Sequence, residues 1–74
     1  MITINQALFL SWVGKVFGGC LKLAAKELGF SVRHVALVVK QRRSCSRRFA
    51  MRTKRASQRL TPDFVLTIDE LLDH

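Results

Sequence analysis

The side chains best able to do chemistry in this sequence are cationic, and most of them lie in one segment. Ten of the thirteen Lys and Arg residues fall between positions 33 and 59, where Asp and Glu do not occur. Guanidinium and ammonium groups bind phosphates, because each contact neutralises charge and releases a counterion. The formal net charge of +8 on 74 residues therefore predicts a polyanionic partner, either nucleic acid or an anionic membrane surface.

No catalytic or metal-binding pattern accompanies this basic segment. The sequence lacks a Ser/His/Asp set, a pair of carboxylates beside a base, and a glycine loop for a nucleotide. Cys20 and Cys45 do not have the spacing of zinc ligands, and we interpret them as reduced thiols of a cytoplasmic protein. The acids and histidine of residues 69–74 are not expected to hold a metal. We therefore expect neither an enzyme nor a bound cofactor.

Residues 21–40, LKLAAKELGFSVRHVALVVK, meet the steric demands of a helix-turn-helix. Ala25 is small where the two helices would touch, and Gly29 can adopt the positive φ of the turn. The positions that must be apolar are occupied by Ala24, Leu28, Phe30, Val35 and Val38. The pattern predicts a DNA-binding unit with a recognition helix over 31–43, although a simple helical hairpin would share the same spacing.

Helix-turn-helix geometry predicts which residues would contact DNA. The recognition helix enters the major groove with its N-terminal residues against the base edges, where Arg33 could bind guanine through two hydrogen bonds. The predicted base-reading residues are Ser31, Val32, Arg33, Ala36, Leu37 and Lys40. The predicted phosphate-binding residues are Lys22, Gln41, Arg42, Arg43, Arg47 and Arg48. Leu37 and Val39 have two placements open: one against DNA, and one in contact with a partner helix or the core.

A second row of arginines follows the recognition segment. Arg48, Arg52, Arg55 and Arg59 recur at helical spacing within a predicted helix over 47–60. They could form a second phosphate track. We favour the alternative for the last three, in which they form a solvated face neutralised by the acidic C-terminal segment.

Helical periodicity extends over most of the chain and predicts an all-α bundle of four or five short helices. The first helix would bury Leu8, Phe9, Trp12, Val13 and Val16 and end at the glycine pair after Phe17. Ser31 would cap the recognition helix, and the SCS sequence at 44–46 offers a turn with a new cap. We divide the chain into a DNA-binding domain over 1–60 and an acidic, apolar segment over 61–74.

The C-terminal segment is ambiguous in sequence. Thr61-Pro62-Asp63 resembles a helix start, with an N-cap, a first-position proline and a first-turn acid. FVLTI has strand composition, whereas Thr67 and Glu70 have the spacing of a capping box. Both interpretations stay open at this stage.

The run VFGGCLKLAAKELGFSVRHV resembles the lambdoid phage Cro repressors and the related YdaS-type prophage regulators. Phe17-Gly18 and the AKELG sequence at 25–29 carry the resemblance, and SRRFAMRTKRASQRLTP is similar to the family's fourth helix. The resemblance covers roughly residues 13–63. The family's Val-Ser-x-Trp run is replaced here by VALV at 35–38, and its proline pair by RRSC at 42–45.

This resemblance implies a sequence-specific transcriptional regulator of the Cro-like repressor type, binding double-stranded DNA in the cytoplasm of a bacterial host, at the nucleoid. An apparent apolar surplus suggests a homodimer through the first helix or the C-terminal segment; its members are Phe9, Trp12, Phe64, Val65, Leu66, Leu71 and Leu72. Two alternatives remain open. One is a phage-type protein that uses the same scaffold to bind a host protein, and the other is a cationic peptide at a membrane surface.

Overall fold

Five helices and one short strand pair form the fold, which a computed structural model describes for residues 2–73. The helices are α1 (Gln6–Phe17), α2 (Leu21–Leu28), α3 (Val32–Val39), α4 (Arg47–Leu60) and α5 (Ile68–Leu71). The strands are β1 (Thr3–Ile4) and β2 (Leu72–Asp73), which pair antiparallel with Ile4 opposite Leu72. The predicted small all-α bundle is confirmed.

Helix α1 ends where predicted, and three of the five residues predicted to be buried are fully buried, while Leu8 and Val16 are half-buried. The Asn5 side chain accepts a hydrogen bond from the backbone N–H of Leu8, which caps the first turn. Phe9, Trp12 and Val13 are buried in the core. Gly18, with φ of 63°, ends the helix in the left-handed conformation that a glycine adopts without steric cost.

Helix α4 also has the predicted bounds. Helical spacing predicts a narrow apolar seam of Cys45, Phe49, Ala56 and Leu60, and the buried face is wider than this seam. Ser46 caps it by accepting from the N–H of Phe49. Besides the apolar residues, Thr53 and Ser57 are fully buried, and each hydroxyl donates to a backbone carbonyl of its own helix. Leu60, predicted to belong to the buried seam, is instead 41% exposed, because the chain turns away at Thr61.

The predicted helix start at Thr61-Pro62-Asp63 is wrong. Thr61 ends α4: its N–H and its hydroxyl both bond to the Ser57 carbonyl, at 2.8 and 3.0 Å, which closes the last turn. Thr61 Oγ1 also accepts from Trp12 Nε1 at 2.9 Å. The local bonds to Ser57 and the tertiary bond from Trp12 together keep Thr61 at the end of one helix and prevent it from starting another.

Of the two interpretations of the C-terminal segment, the helix start at Thr67 is the one that forms, with the N-cap hydrogen bond of the predicted capping box. Thr67 accepts from the Glu70 N–H at 3.2 Å and donates to the Glu70 carboxylate at 2.8 Å, and α5 begins at the next residue. FVLTI does not form a strand. The strand that does form, β2, lies beyond α5 and pairs with β1.

Six of the seven residues that suggested a surplus for dimerisation, all but Val65, lie in the core of a single copy or pack against it. Phe9, Trp12, Leu66 and Leu71 are fully buried, while Phe64, Val65 and Leu72 are half-buried. Residues 66 and 71 join the same cluster as the side chains of α1 and α4. These residues therefore no longer argue for a dimer, which stays a prediction.

Cys20 and Cys45 are free thiols; Cys20 is exposed, and burial raises the pKa of Cys45 to about 11.

Over the described part of the chain, no single helix has the length and apolar character to cross a membrane. Helices α1 and α2 have this length and apolar character only when they are taken together, and the chain bends by 95° between them.

Candidate nucleic-acid interface

Helices α2 and α3 are joined by a three-residue turn with the predicted local chemistry. Gly29 has a φ of 79° and donates its N–H to the Ala25 carbonyl at 2.9 Å, while the Phe30 N–H bonds to the same oxygen at 3.0 Å. Ser31 then caps α3 by accepting from the His34 N–H at 3.1 Å. The positive-φ glycine and the serine cap, both predicted from sequence, are confirmed.

The apolar positions of the 20-residue pattern fasten the two helices to the rest of the protein. Ala24, Ala25, Leu28, Val35 and Val38 are all no more than 2% exposed. Phe30, the remaining apolar residue of the pattern, lies in the turn and is half-buried against the same core. The opposite sides of α2 and α3 therefore remain available to a partner.

The predicted base-reading residues lie at the surface of α3 or at its ends. Ser31, Val32, Arg33 and Lys40 are exposed, and residues 36 and 37 are half-buried. Val39, for which two placements were open, is buried at 5% exposure and belongs to the core. The row from Ser31 to Lys40 thus presents a hydroxyl, an isopropyl group and two cations to solvent.

Helix α3 ends at Val39, four residues before the predicted end of the recognition helix at 43. The N–H of Arg42 bonds to the Leu37 carbonyl and that of Gln41 to the Val38 carbonyl, both at 3.0 Å. This is the hydrogen-bond pattern of a Schellman motif, with Gln41 at φ 60° in the position that glycine usually occupies. Residues 40–43 are consequently a turn beside the helix.

Gln41 is held by contacts within the protein. Its Nε2 donates to the Ile4 carbonyl at 3.0 Å, which ties the turn after α3 to β1. Gln6 makes a parallel link by donating to the Val39 carbonyl at 2.9 Å. We therefore assign Gln41 an anchoring role and not a phosphate contact.

The remaining predicted phosphate ligands form an exposed cationic set around the ends of α2, α3 and α4. They are Lys22, Arg42, Arg43, Arg47 and Arg48. Among the residues that the structure describes, none of these five forms a salt bridge. Cationic side chains without an acidic partner are free to neutralise phosphates, since no internal ion pair must first be broken.

Arg52, Arg55 and Arg59 are exposed, as predicted, but two of them have internal partners, and for Arg59 the predicted acidic partner was wrong. Arg59 pairs with Glu27 of α2 instead of the C-terminal acids. Arg52 donates to the Leu28 carbonyl at 3.4 Å, and its guanidinium lies 5.8 Å from the centre of the Phe30 ring. Helix packing brings α4 against the end of α2, and the spacing of residues along the sequence does not predict this contact.

An aromatic stack beneath the turn was missed from the sequence. The His34 imidazole stacks on Phe30 with ring centres 4.9 Å apart and planes 12° from parallel, and it lies 5.9 Å from Phe49. Burial, and to a smaller degree the charge of Arg43, lower the pKa of His34 below its ordinary 6.5. His34 is therefore a neutral packing residue at pH 7.

We expect His34 to make folding less favourable in mild acid. Because its pKa is lowered in the folded state, the unfolded chain binds the proton more tightly, and stability declines as the pH falls below about 6.5. Urea unfolding at pH 7, 6 and 5 should show this decline, and His34→Gln should flatten it between pH 7 and 6, where carboxylates hardly titrate. An unchanged pH dependence in the variant would contradict the assignment.

Comparison with known proteins gave no relative: no family model matches the chain, and no similar protein was found among curated sequences or solved structures. The resemblance to the phage repressors consequently rests on the motifs within residues 13–63.

Proposed function

We propose that this chain is a sequence-specific DNA-binding transcriptional regulator of phage or prophage type that places α3 in the major groove. The observation that carries the proposal is the set of exposed cationic residues around α2, α3 and the turn between them, while Ala24, Ala25, Leu28, Val35 and Val38 are buried in the core. The turn after α3 adds Arg42 and Arg43, at the flank of the helix where a DNA backbone would pass.

The dimensions of α3 support groove binding. An α-helix with its side chains is about 10–12 Å in diameter, and the major groove is about 12 Å wide, so the groove can admit α3. Arg33 lies in the first turn, the part that meets base edges in helix-turn-helix proteins. Val32, which is 47% exposed, would contact a thymine methyl group.

The N-terminus of α2 supports an adjacent phosphate contact. Cys20 occupies the cap position and makes no side-chain hydrogen bond to the first turn. The first backbone N–H groups of an uncapped helix attract anions, and Lys22 adds a full positive charge at the same end. A phosphate bound here would orient α3 without reading sequence.

A regulator of this size would act as a homodimer. A single short recognition helix reads only a few base pairs, and two copies on a palindromic site supply the missing specificity. Occupation of such a site would exclude polymerase. Binding to an anionic membrane surface is an outcome that the following test distinguishes from this proposal, and the absence of binding to both duplex and vesicles would favour a host protein as the partner.

Removing one phosphate-facing charge should weaken duplex binding more than removing a charge elsewhere. Arg42→Ala should lower the affinity for a labelled mixed-sequence duplex several-fold at fixed ionic strength, measured by fluorescence anisotropy. Lys15→Ala is the matched control, because Lys15 lies on α1, with its ammonium group 5.4 Å from the Phe64 ring in the C-terminal segment.

Equal losses of duplex affinity in the two variants would mean that binding comes from general charge attraction, which contradicts a defined interface. Binding to anionic vesicles with undetectable binding to duplex would instead support the membrane alternative. A circular dichroism spectrum of each variant establishes that both remain folded.

A further inference from the structure

A concavity between α2 and α4 lies apart from the proposed base-reading surface. It has a volume of about 370 Å³ and is lined by Glu27, Leu28, Arg52, Arg55, Ala56 and Arg59. This volume is at the lower end of the range for small-molecule sites, about 300 to 1,000 Å³. The lining carries three guanidinium groups and one carboxylate, a formal charge of +2.

Glu27 is the only acidic residue among the first 62 of the chain, and it lies at the edge of this concavity. It pairs with Arg59, while Arg52 is engaged with the Leu28 carbonyl and the Phe30 ring. Within the described residues Arg55 forms no salt bridge and is exposed. Two positive charges of the site therefore remain uncompensated by the single carboxylate.

We propose that this concavity binds a small molecule through a phosphate group that carries at least two negative charges, such as a phosphate monoester or a diphosphate. Guanidinium groups match phosphate oxygens with paired hydrogen bonds, and three of them around one hollow can surround a tetrahedral anion. A dianion neutralises the +2 charge of the lining. Glu27 competes with the ligand for Arg59 and keeps the binding weak enough to be reversible.

The site lies next to the turn of the proposed DNA-reading unit. Glu27 and Leu28 are the last residues of α2, and Arg52 reaches both the Leu28 carbonyl and the aromatic ring in the turn. A phosphate that draws Arg52 toward itself would loosen these contacts. The binding step needs no DNA, so its test succeeds or fails independently of the proposed function.

The test is calorimetric titration of the full chain with pyrophosphate at constant ionic strength. Arg55→Ala should weaken binding about tenfold, the usual effect of losing a charge-assisted hydrogen bond. Glu27→Gln should strengthen it about three- to tenfold, because a repelling charge is removed and Arg59 is released. Lys15→Ala removes one charge outside the concavity and should change the affinity less than twofold.

Three results would overturn the proposal: no pyrophosphate binding at millimolar concentration, equal weakening by Arg55→Ala and Lys15→Ala, or no strengthening by Glu27→Gln. The source of the phosphate is decided by repeating the duplex titration with Arg55→Ala. Duplex affinity within twofold of the parent supports a free small molecule. A loss as large as that of Arg42→Ala would place a DNA backbone phosphate in the concavity and contradict a small-molecule site.

Discussion

Trp12→Ala should remove about 3–5 kcal/mol of folding free energy and leave the protein largely unfolded in mild denaturant. The indole is fully buried, packs edge-on against Phe17 with ring centres 5.4 Å apart, and donates to Thr61 at the end of α4. Truncation leaves a large cavity and removes the link between α1 and α4. A 74-residue domain has about 4–11 kcal/mol of total stability, so the loss is a large share of it.

Urea unfolding followed by circular dichroism measures this effect without the tryptophan signal. Leu10→Ala on the same helix is the control, and it should cost less than about 1 kcal/mol because Leu10 is 41% exposed. Trp12→Phe should fall between the two, since it keeps most of the ring and loses the hydrogen bond. A Trp12→Ala variant no less stable than Leu10→Ala would contradict the described core.

Duplex affinity should fall about 10³- to 10⁴-fold when monovalent salt rises from 50 to 200 mM. Each neutralised phosphate contributes about −0.9 to the slope of log K against log salt, and six to eight contacts give a slope of about −5 to −7. The exposed cations around α3 can supply six of these contacts; they are Lys22, Lys40, Arg42, Arg43, Arg47 and Arg48.

The slope is obtained from anisotropy titrations at several salt concentrations. Lys15→Ala should leave it unchanged, and Arg42→Ala should make it shallower by about one unit. A parent slope weaker than about −3 would mean that most of the basic segment does not contact DNA.

Local signals in the sequence predicted those helix ends that are set by short-range chemistry. Gly29 supplies a positive φ, while Ser31 and Ser46 accept from the N–H three residues ahead, so their roles follow from residue type and spacing alone. The end of α3 depends instead on Gln41 in a left-handed conformation, held by a hydrogen bond to Ile4. That bond joins residues far apart in the chain and leaves no local pattern.

Long-range contacts account for the other differences between prediction and structure. Thr61 has the composition of a helix start, but Trp12 and the Ser57 carbonyl fix it as a helix end. Strands of two residues are too short to show an alternation of apolar and polar side chains, so the pairing of β1 with β2 could not be predicted from the sequence. The arginine spacing on α4 was visible, whereas the pairing of Arg59 with Glu27 depends on how two helices pack.

Selection of bound duplexes from a random pool tests the proposed function most directly. A sequence-specific regulator should enrich one consensus, palindromic if two copies bind together, and Arg33→Ala should relax the preference at a guanine position by about 1–3 kcal/mol. Lys15→Ala should select the same consensus as the parent. A pool that shows no enrichment after repeated rounds would contradict sequence-specific recognition by α3.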